Sequence, residues 1–255
     1  MRRTQNAQLW STRPVRCAHR GMSGRQAGPE KSALYWTMPF SESMAQEVDR
    51  YARSDLPGDL IWHIGQFSFL ADDPRLQSRV GEEFFTARYL YKLLEGVHLD
   101  EQWAVSAQAR LQVLQYASIY EACLHHVLFE LSRHDPRVQQ LGKYTSLKPY
   151  DVPPGKFKSF EHDGRQIVAA YRADSKGDIS KIRFDDKVDA AVDLGVISDS
   201  LGSDLKDIYE ARNSIHIHAE LKKNLEFDLD IGKLAYRRMQ PFCDQVQRYV
   251  ASQAS

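Results

Sequence analysis

The chain has 255 residues, and its 34 lysines and arginines are balanced by 34 aspartates and glutamates. At 29.3 kDa it is long enough to bury one large core with extensions, while its zero net charge assigns neither a nucleic acid nor a membrane surface on global grounds, so any such patch must be local. Cys17, Cys123 and Cys243 are odd in number and far apart, with no metal or redox spacing, and no apolar run approaches the roughly 18 residues that span a bilayer. The expectation is a cytoplasmic protein with reduced cysteines and no membrane partner.

Residues 1–37 stand apart. Arg2, Arg3, Arg13, Arg16, Arg20 and Arg25 precede the first acidic residue, Glu30, and no apolar period accompanies them. The N-terminus also lacks the apolar stretch of a secretory signal. A disordered tail is expected here, with Met38 or Met44 as alternative starts.

Residues 38–80 read as a helical extension. A helix follows Ser41, with Met44, Val48 and Tyr51 or Ala52 on one face, and closes before Asp55-Leu56-Pro57-Gly58. The run from Asp59 to Leu70 is apolar and aromatic but too short to separate helix from buried strand. From Gly81 the pattern is helical, with Phe84, Ala87, Leu90 or Tyr91 and Leu94 in a stripe that stops at Gly96. The longest periodic stretch, Glu101 to Leu131, predicts a central helix or two consecutive ones, closed by Arg133-His134-Asp135-Pro136.

Residues 137–184 change character and read as an insertion between helices. Asp163-Gly164 is a two-residue hairpin turn signal between flanks at 157–161 and 166–172. From Arg137 to Lys187 eleven basic residues face seven acidic ones, a mild local excess. Helix resumes near Asp185, which is expected to cap it, and ends at Leu194-Gly195. Ser203 is expected to cap the next helix, and after Lys222-Lys223-Asn224 a last helix starts near Asp228, where Pro241 should kink or split it.

The segment Asp207 to His218 carries the most informative chemistry. Leu205, Ile208, Tyr209, Arg212 and Ile215 or His216 recur at helical steps, so Arg212 falls where a leucine is expected. A guanidinium keeps its charge, so burying it requires hydrogen-bonded partners or a polar ligand. If the helix continues, His216 lies about 40° round the axis from Arg212; if it unwinds near Ile215, His218 is free to approach instead. Arginine beside imidazole suits metal-free RNA cleavage: histidine moves the proton of the 2′-hydroxyl or leaving group, and arginine stabilises charge building on the phosphoryl oxygens. Asn213 can orient either group, and Glu121 is placed to support Arg212.

Arg212-Asn213 followed by His218 after five intervening residues resembles the Arg-x(4–6)-His motif of the HEPN superfamily (higher eukaryotes and prokaryotes nucleotide-binding). His216, with three intervening residues, falls one short of that spacing. The segment Tyr116 to Leu124 is similar to the long first helix of such domains, and Ala190 to Ser198 to the helix and turn before the Arg-Asn helix. The likeness covers roughly residues 85–250. It implies a mainly α protein, a HEPN-like helical bundle over residues 81–255 with a small β-hairpin insertion and an N-terminal extension. It also implies a homodimer that acts as a metal-independent endoribonuclease in toxin–antitoxin, phage-defence or RNA-processing settings. RNA and an antitoxin or other regulatory protein would be its partners, with no cofactor and no metal. The implied site is Arg212, Asn213, His218 and His216, supported by Glu121 and Glu210. Where some toxins of the superfamily have a tyrosine two residues after the histidine, Glu220 stands. The alternative is a non-catalytic module that binds nucleotides or protein partners. Outside the resemblance, His125-His126 falls on adjacent helical positions, one of them expected at the surface.

Overall fold

A computed structural model describes residues 40–150, 160–223 and 227–253. The expected tail, residues 1–37, lies outside them, as do residues 157–159 of the expected hairpin. Residues 42–255 form one compact unit, mainly helical with small antiparallel strand pairs. Among the described residues, no helix is long and apolar enough to cross a membrane.

Helix α1 (Glu42–Arg53) is amphipathic and lies on α3 (Pro74–Gly96), where the Tyr51 hydroxyl reaches Glu95 at 3.2 Å. Between them the ambiguous aromatic run is helical. Asp59 accepts from the Trp62 amide and starts α2 (Leu60–Gly65), and a 3₁₀ turn follows at Ser68–Leu70. Helix α3 begins at Pro74 rather than near Gly81, because Asp73 caps it and proline suits a first turn. A boundary between residues 80 and 81 therefore divides one continuous helix.

Helix α4 (Gln102–His126) is the centre of the molecule and runs directly into a π-helical turn at Val127–Leu131. Tyr116, Ile119, Tyr120, Cys123 and Leu124 are buried on it, and so are Gln108, Gln112 and Gln115, so the helix is enclosed on most sides by the bundle. Some of its buried polar groups are matched: the Tyr120 hydroxyl donates to the Ala235 carbonyl at 2.6 Å and the Gln112 amide to Ala87 at 3.1 Å.

After α5 (Pro136–Gln140), β1 (Lys143–Pro149) pairs antiparallel with β4 (Ala170–Lys176). Between them lies the expected hairpin, β2 (Phe160–His162) and β3 (Arg165–Ile167), turning through Asp163 and Gly164 at φ 50° and 70°. Two successive positive φ values match the twist of a tight hairpin. The second flank is shorter than expected, since residues from Ala170 onward leave the hairpin and pair with β1.

Helix α6 (Phe184–Asp193) starts after Arg183, not with a capping Asp185; that carboxylate instead holds Arg183 at 2.8 Å. Gly195, at φ 75°, ends the helix as expected. Ser198 rather than Ser203 caps α7 (Asp199–Asn213). The extra turn is needed for packing: a Cβ at Gly202 would meet the Val192 side chain at 2.8 Å, so this turn lies close against α6. Short α8 (Ile217–Lys223) and long α9 (Leu229–Gln253) complete the bundle. Pro241 does not split α9, because Met239, Phe242, Cys243 and Val246 stay on one buried face across it.

Candidate functional site

The inner face of α7 is formed by Leu201, Leu205 and Ile208, all buried. One and two turns further, Tyr209 and Arg212 are only partly buried. Arg212 is therefore at the rim of the bundle, not inside it as its position in the stripe suggests. Its guanidinium lies 5.2 Å from the centre of the Tyr209 ring, and its Nη1 donates to Asn213 Oδ1 at 3.1 Å. Ring and amide satisfy the charge where the core ends.

The helix stops at this point for a local reason. Ser214 is fully buried, and its Oγ donates to the Glu210 carbonyl at 2.8 Å, while its amide is shared between Glu210 and Ala211. A side chain competing for a backbone carbonyl favours termination. The chain turns through Ile215 and His216, and the His216 carbonyl accepts from the Glu220 amide at 3.0 Å as α8 begins. Of the two alternatives, the helix unwinds. His216 lies in the bend, His218 lies on α8, and both are exposed. No hydrogen bond joins either imidazole to Arg212 or Asn213 in the described structure. Glu220 forms an ion pair with Arg110 of α4, which ties α8 to the bundle. Glu210 is exposed beside a small cleft of about 320 Å³ that reaches Phe227 and Ile231.

Glu121 does not pair with Arg212. Its Oε2 accepts from the Tyr209 hydroxyl at 3.0 Å and its Oε1 from Lys187 Nζ at 3.2 Å. The Lys187 side chain is 2% exposed, so its ammonium depends on this carboxylate. Phe184 stacks on the Tyr209 ring at 4.1 Å and 14°. Burial, with the Glu121 charge second, pushes the Tyr209 hydroxyl above its ordinary range and keeps it a donor. Tyr209 thus links Glu121 to Arg212, both of them partly buried.

On the other side of Glu121 opens a cavity of about 700 Å³, lined by Asp72, Ser118, His125, His126, Glu130 and Lys187 among others. The His126 ring is buried and its Nε2 lies 3.0 Å from both Asp72 carboxylate oxygens. His125 packs on Phe129 at 4.8 Å, and burial first, then the Lys187 charge, lowers its pKa. Expecting one of the two histidines at the surface missed this cavity, which both of them line where α4 widens into the π turn. A signal was present: Ser118, Glu121 and His125 make a polar line at three- and four-residue steps along the C-terminal half of the helix. Among the described residues, no group of three or more histidines, cysteines or carboxylates is arranged to hold a metal ion.

Compared with known protein families, curated proteins and solved structures, the chain matches none.

Proposed function

We propose that this protein is a cytoplasmic, metal-independent endoribonuclease of the HEPN type, acting as a homodimer. The observation that carries the reading is the end of α7 at Asn213, which leaves Arg212 at the rim and both histidines exposed on the segment that follows. In the reaction, His218 or His216 takes the proton of a 2′-hydroxyl, whose oxygen attacks the adjacent phosphorus. The bond to the 5′-oxygen breaks, that oxygen receives a proton from an imidazolium, and a 2′,3′-cyclic phosphate remains. Arg212 meets the charge on the phosphoryl oxygens, and Asn213, already bonded to Arg212, orients it. A two-fold axis would bring two such sets to one cleft. A toxin or phage-defence role, restrained by an antitoxin or other regulator, fits such an activity.

A second reading, a non-catalytic module that binds nucleotides or protein partners, is favoured by the engagement of Arg212 with Asn213 and Tyr209 and by the lack of a bond to either histidine. Incubating the purified full chain with single-stranded RNA and EDTA separates the two. Cleavage to cyclic-phosphate ends is expected, with Arg212→Ala slowing it about 100-fold or more, His218→Ala more damaging than His216→Ala, and a dimer in sedimentation. Cleavage that needs an added divalent ion, or that survives Arg212→Ala, would overturn the assignment.

A further inference from the structure

The ribbon formed by β1 and β4 has no assigned role, and nearly all of it is open to water: only Ser146 on β1 and Ala173 and Ser175 on β4 are partly buried. Directly paired residues of an antiparallel ladder share a face. Tyr144 stands opposite Ser175, Ser146 opposite Ala173, and Lys148 opposite Tyr171, so these six form one face. The 2.9 Å contact between the Ser146 and Ser175 hydroxyls lies on that face. Tyr150, two residues beyond Lys148 and held by its amide to the Ala169 carbonyl at 2.8 Å, continues it. Tyr144, Tyr171 and Tyr150 are 55%, 51% and 59% exposed. Three tyrosines thus rise from a floor of serine and alanine.

Charge accompanies the rings. The two strands carry Lys143, Lys148, Arg172 and Lys176 against a single acid, Asp174, in a chain whose total charge is zero. At the base of the ribbon the Gly177 amide closes on the Gly142 carbonyl at 2.9 Å, and Tyr144 borders a cleft of about 390 Å³ in which Lys181 and Arg183 are balanced by Asp178 and Asp186. The next residue, Phe184, is the one stacked on Tyr209 beneath Arg212. Of the ribbon's cations Lys148 shares the tyrosine face, while Lys143, Lys176 and Arg172 lie on the other face with Thr145 and Leu147; flat rings with a cation among them suit a strand whose bases are unstacked. A duplex offers no free base faces. Tyr171 and Tyr150 are diagonal neighbours, roughly 7–8 Å apart by ladder geometry, and Tyr144 lies about 14 Å along the ribbon from the level of Tyr171, at roughly 3.4 Å per residue.

We propose that the β1–β4 ribbon is a binding platform for single-stranded RNA, with bases stacked on Tyr144, Tyr171 and Tyr150 and a phosphate met by Lys148 on the same face. The choice of RNA rests on the ribonuclease reading; the stacking geometry stands without it.

The test is fluorescence anisotropy of a labelled, unstructured RNA 12-mer with the full chain, alongside sedimentation and thermal melts. Each of Tyr144→Ala, Tyr171→Ala and Tyr150→Ala is expected to weaken binding about five-fold or more. Tyr→Phe variants should retain affinity and melts should be unchanged, because the rings are exposed. A duplex of equal length should bind more weakly, and added salt should reduce affinity. Arg212→Ala should keep binding and lose cleavage. Binding that depends on the tyrosines in a chain that cuts no RNA would sustain the platform and sink the nuclease. Cleavage with unaltered affinity in all three alanine variants would do the reverse. Equal affinity for the duplex, or alanine variants that turn a dimer into monomers without weakening RNA binding, would overturn the platform.

Discussion

Arg212 on the Tyr209 ring and Lys187 on the carboxylate that ring bonds are both cations, yet their surroundings assign them opposite roles. Lys187 is enclosed, and Glu121 is its counter-ion; Arg212 is partly exposed and leans on a ring and an amide. Removing one partner of a buried pair costs about 3–5 kcal/mol, a figure reduced here because the Glu121 side chain is 32% exposed. Urea unfolding should therefore show Glu121→Ala losing several kcal/mol, and Arg212→Ala less than about 1 kcal/mol. Adding Lys187→Met to Glu121→Ala should restore much of the loss, since an apolar chain of similar size needs no counter-ion. Equal losses in the two single variants would mean that Arg212 supports the fold as much as Lys187 does.

Among the elements, α2 and α3 meet more closely than their sequences suggest. A Cβ built on Gly81 would lie 2.5 Å from Ile64 Cα and 2.9 Å from its amide nitrogen, so backbone rather than a flexible side chain would have to move. Gly81→Ala is expected to destabilise by about 1–3 kcal/mol, against a helix-propensity gain of up to about 1 kcal/mol. Gly65, where an added Cβ meets nothing within 4 Å, is the control: Gly65→Ala should be neutral or slightly stabilising. Parallel thermal melts check both, and a stable Gly81→Ala would show that α2 rides loosely on α3. Element identity was largely legible in the sequence because apolar period and turn chemistry are local. Starts were less legible. Asp73 and Ser198 cap helices that the expected stripes began later, because each upstream turn is set by its contact with a neighbouring helix.

For the whole molecule, pH reports on histidines held neutral. The His63 ring is buried among Trp62, Phe84 and Phe85, and its Nδ1 donates to the Asp59 carbonyl at 2.7 Å. Burial is the main cause lowering its pKa, only partly opposed by that hydrogen bond, and burial also lowers His125. Between the unfolded value of about 6.5 and the lower folded values, the unfolded chain binds protons that the folded chain refuses. Stability from these residues is present above that window and is lost as pH falls through it. Chemical unfolding from pH 8 to 5 should show a plateau and then a decline, and His63→Leu should reduce the slope of the decline by up to about 1.4 kcal/mol per pH unit. Asp49 and Asp135, lowered chiefly by hydrogen bonds from Arg53 and Arg137, act in a more acidic range. An unchanged slope in His63→Leu would place the proton uptake elsewhere.

By itself the sequence determined the mainly helical class, the central helix, the Asp163-Gly164 hairpin and the Arg212-Asn213 pair. Each rests on residues within a few positions of one another, where helical period, positive-φ turns and neighbouring side chains act. Only the tertiary structure decided that Arg212 lies at the rim, that Glu121 answers Lys187 and Tyr209, and that His125 and His126 line one cavity. It also decided that residues from Ala170 pair with β1, which brings Tyr144 and Tyr171 to one face. Those outcomes depend on partners 21 to 88 residues apart in the chain. Periodicity shows which side of a helix or strand turns inward, but the group waiting there is chosen by packing between distant elements.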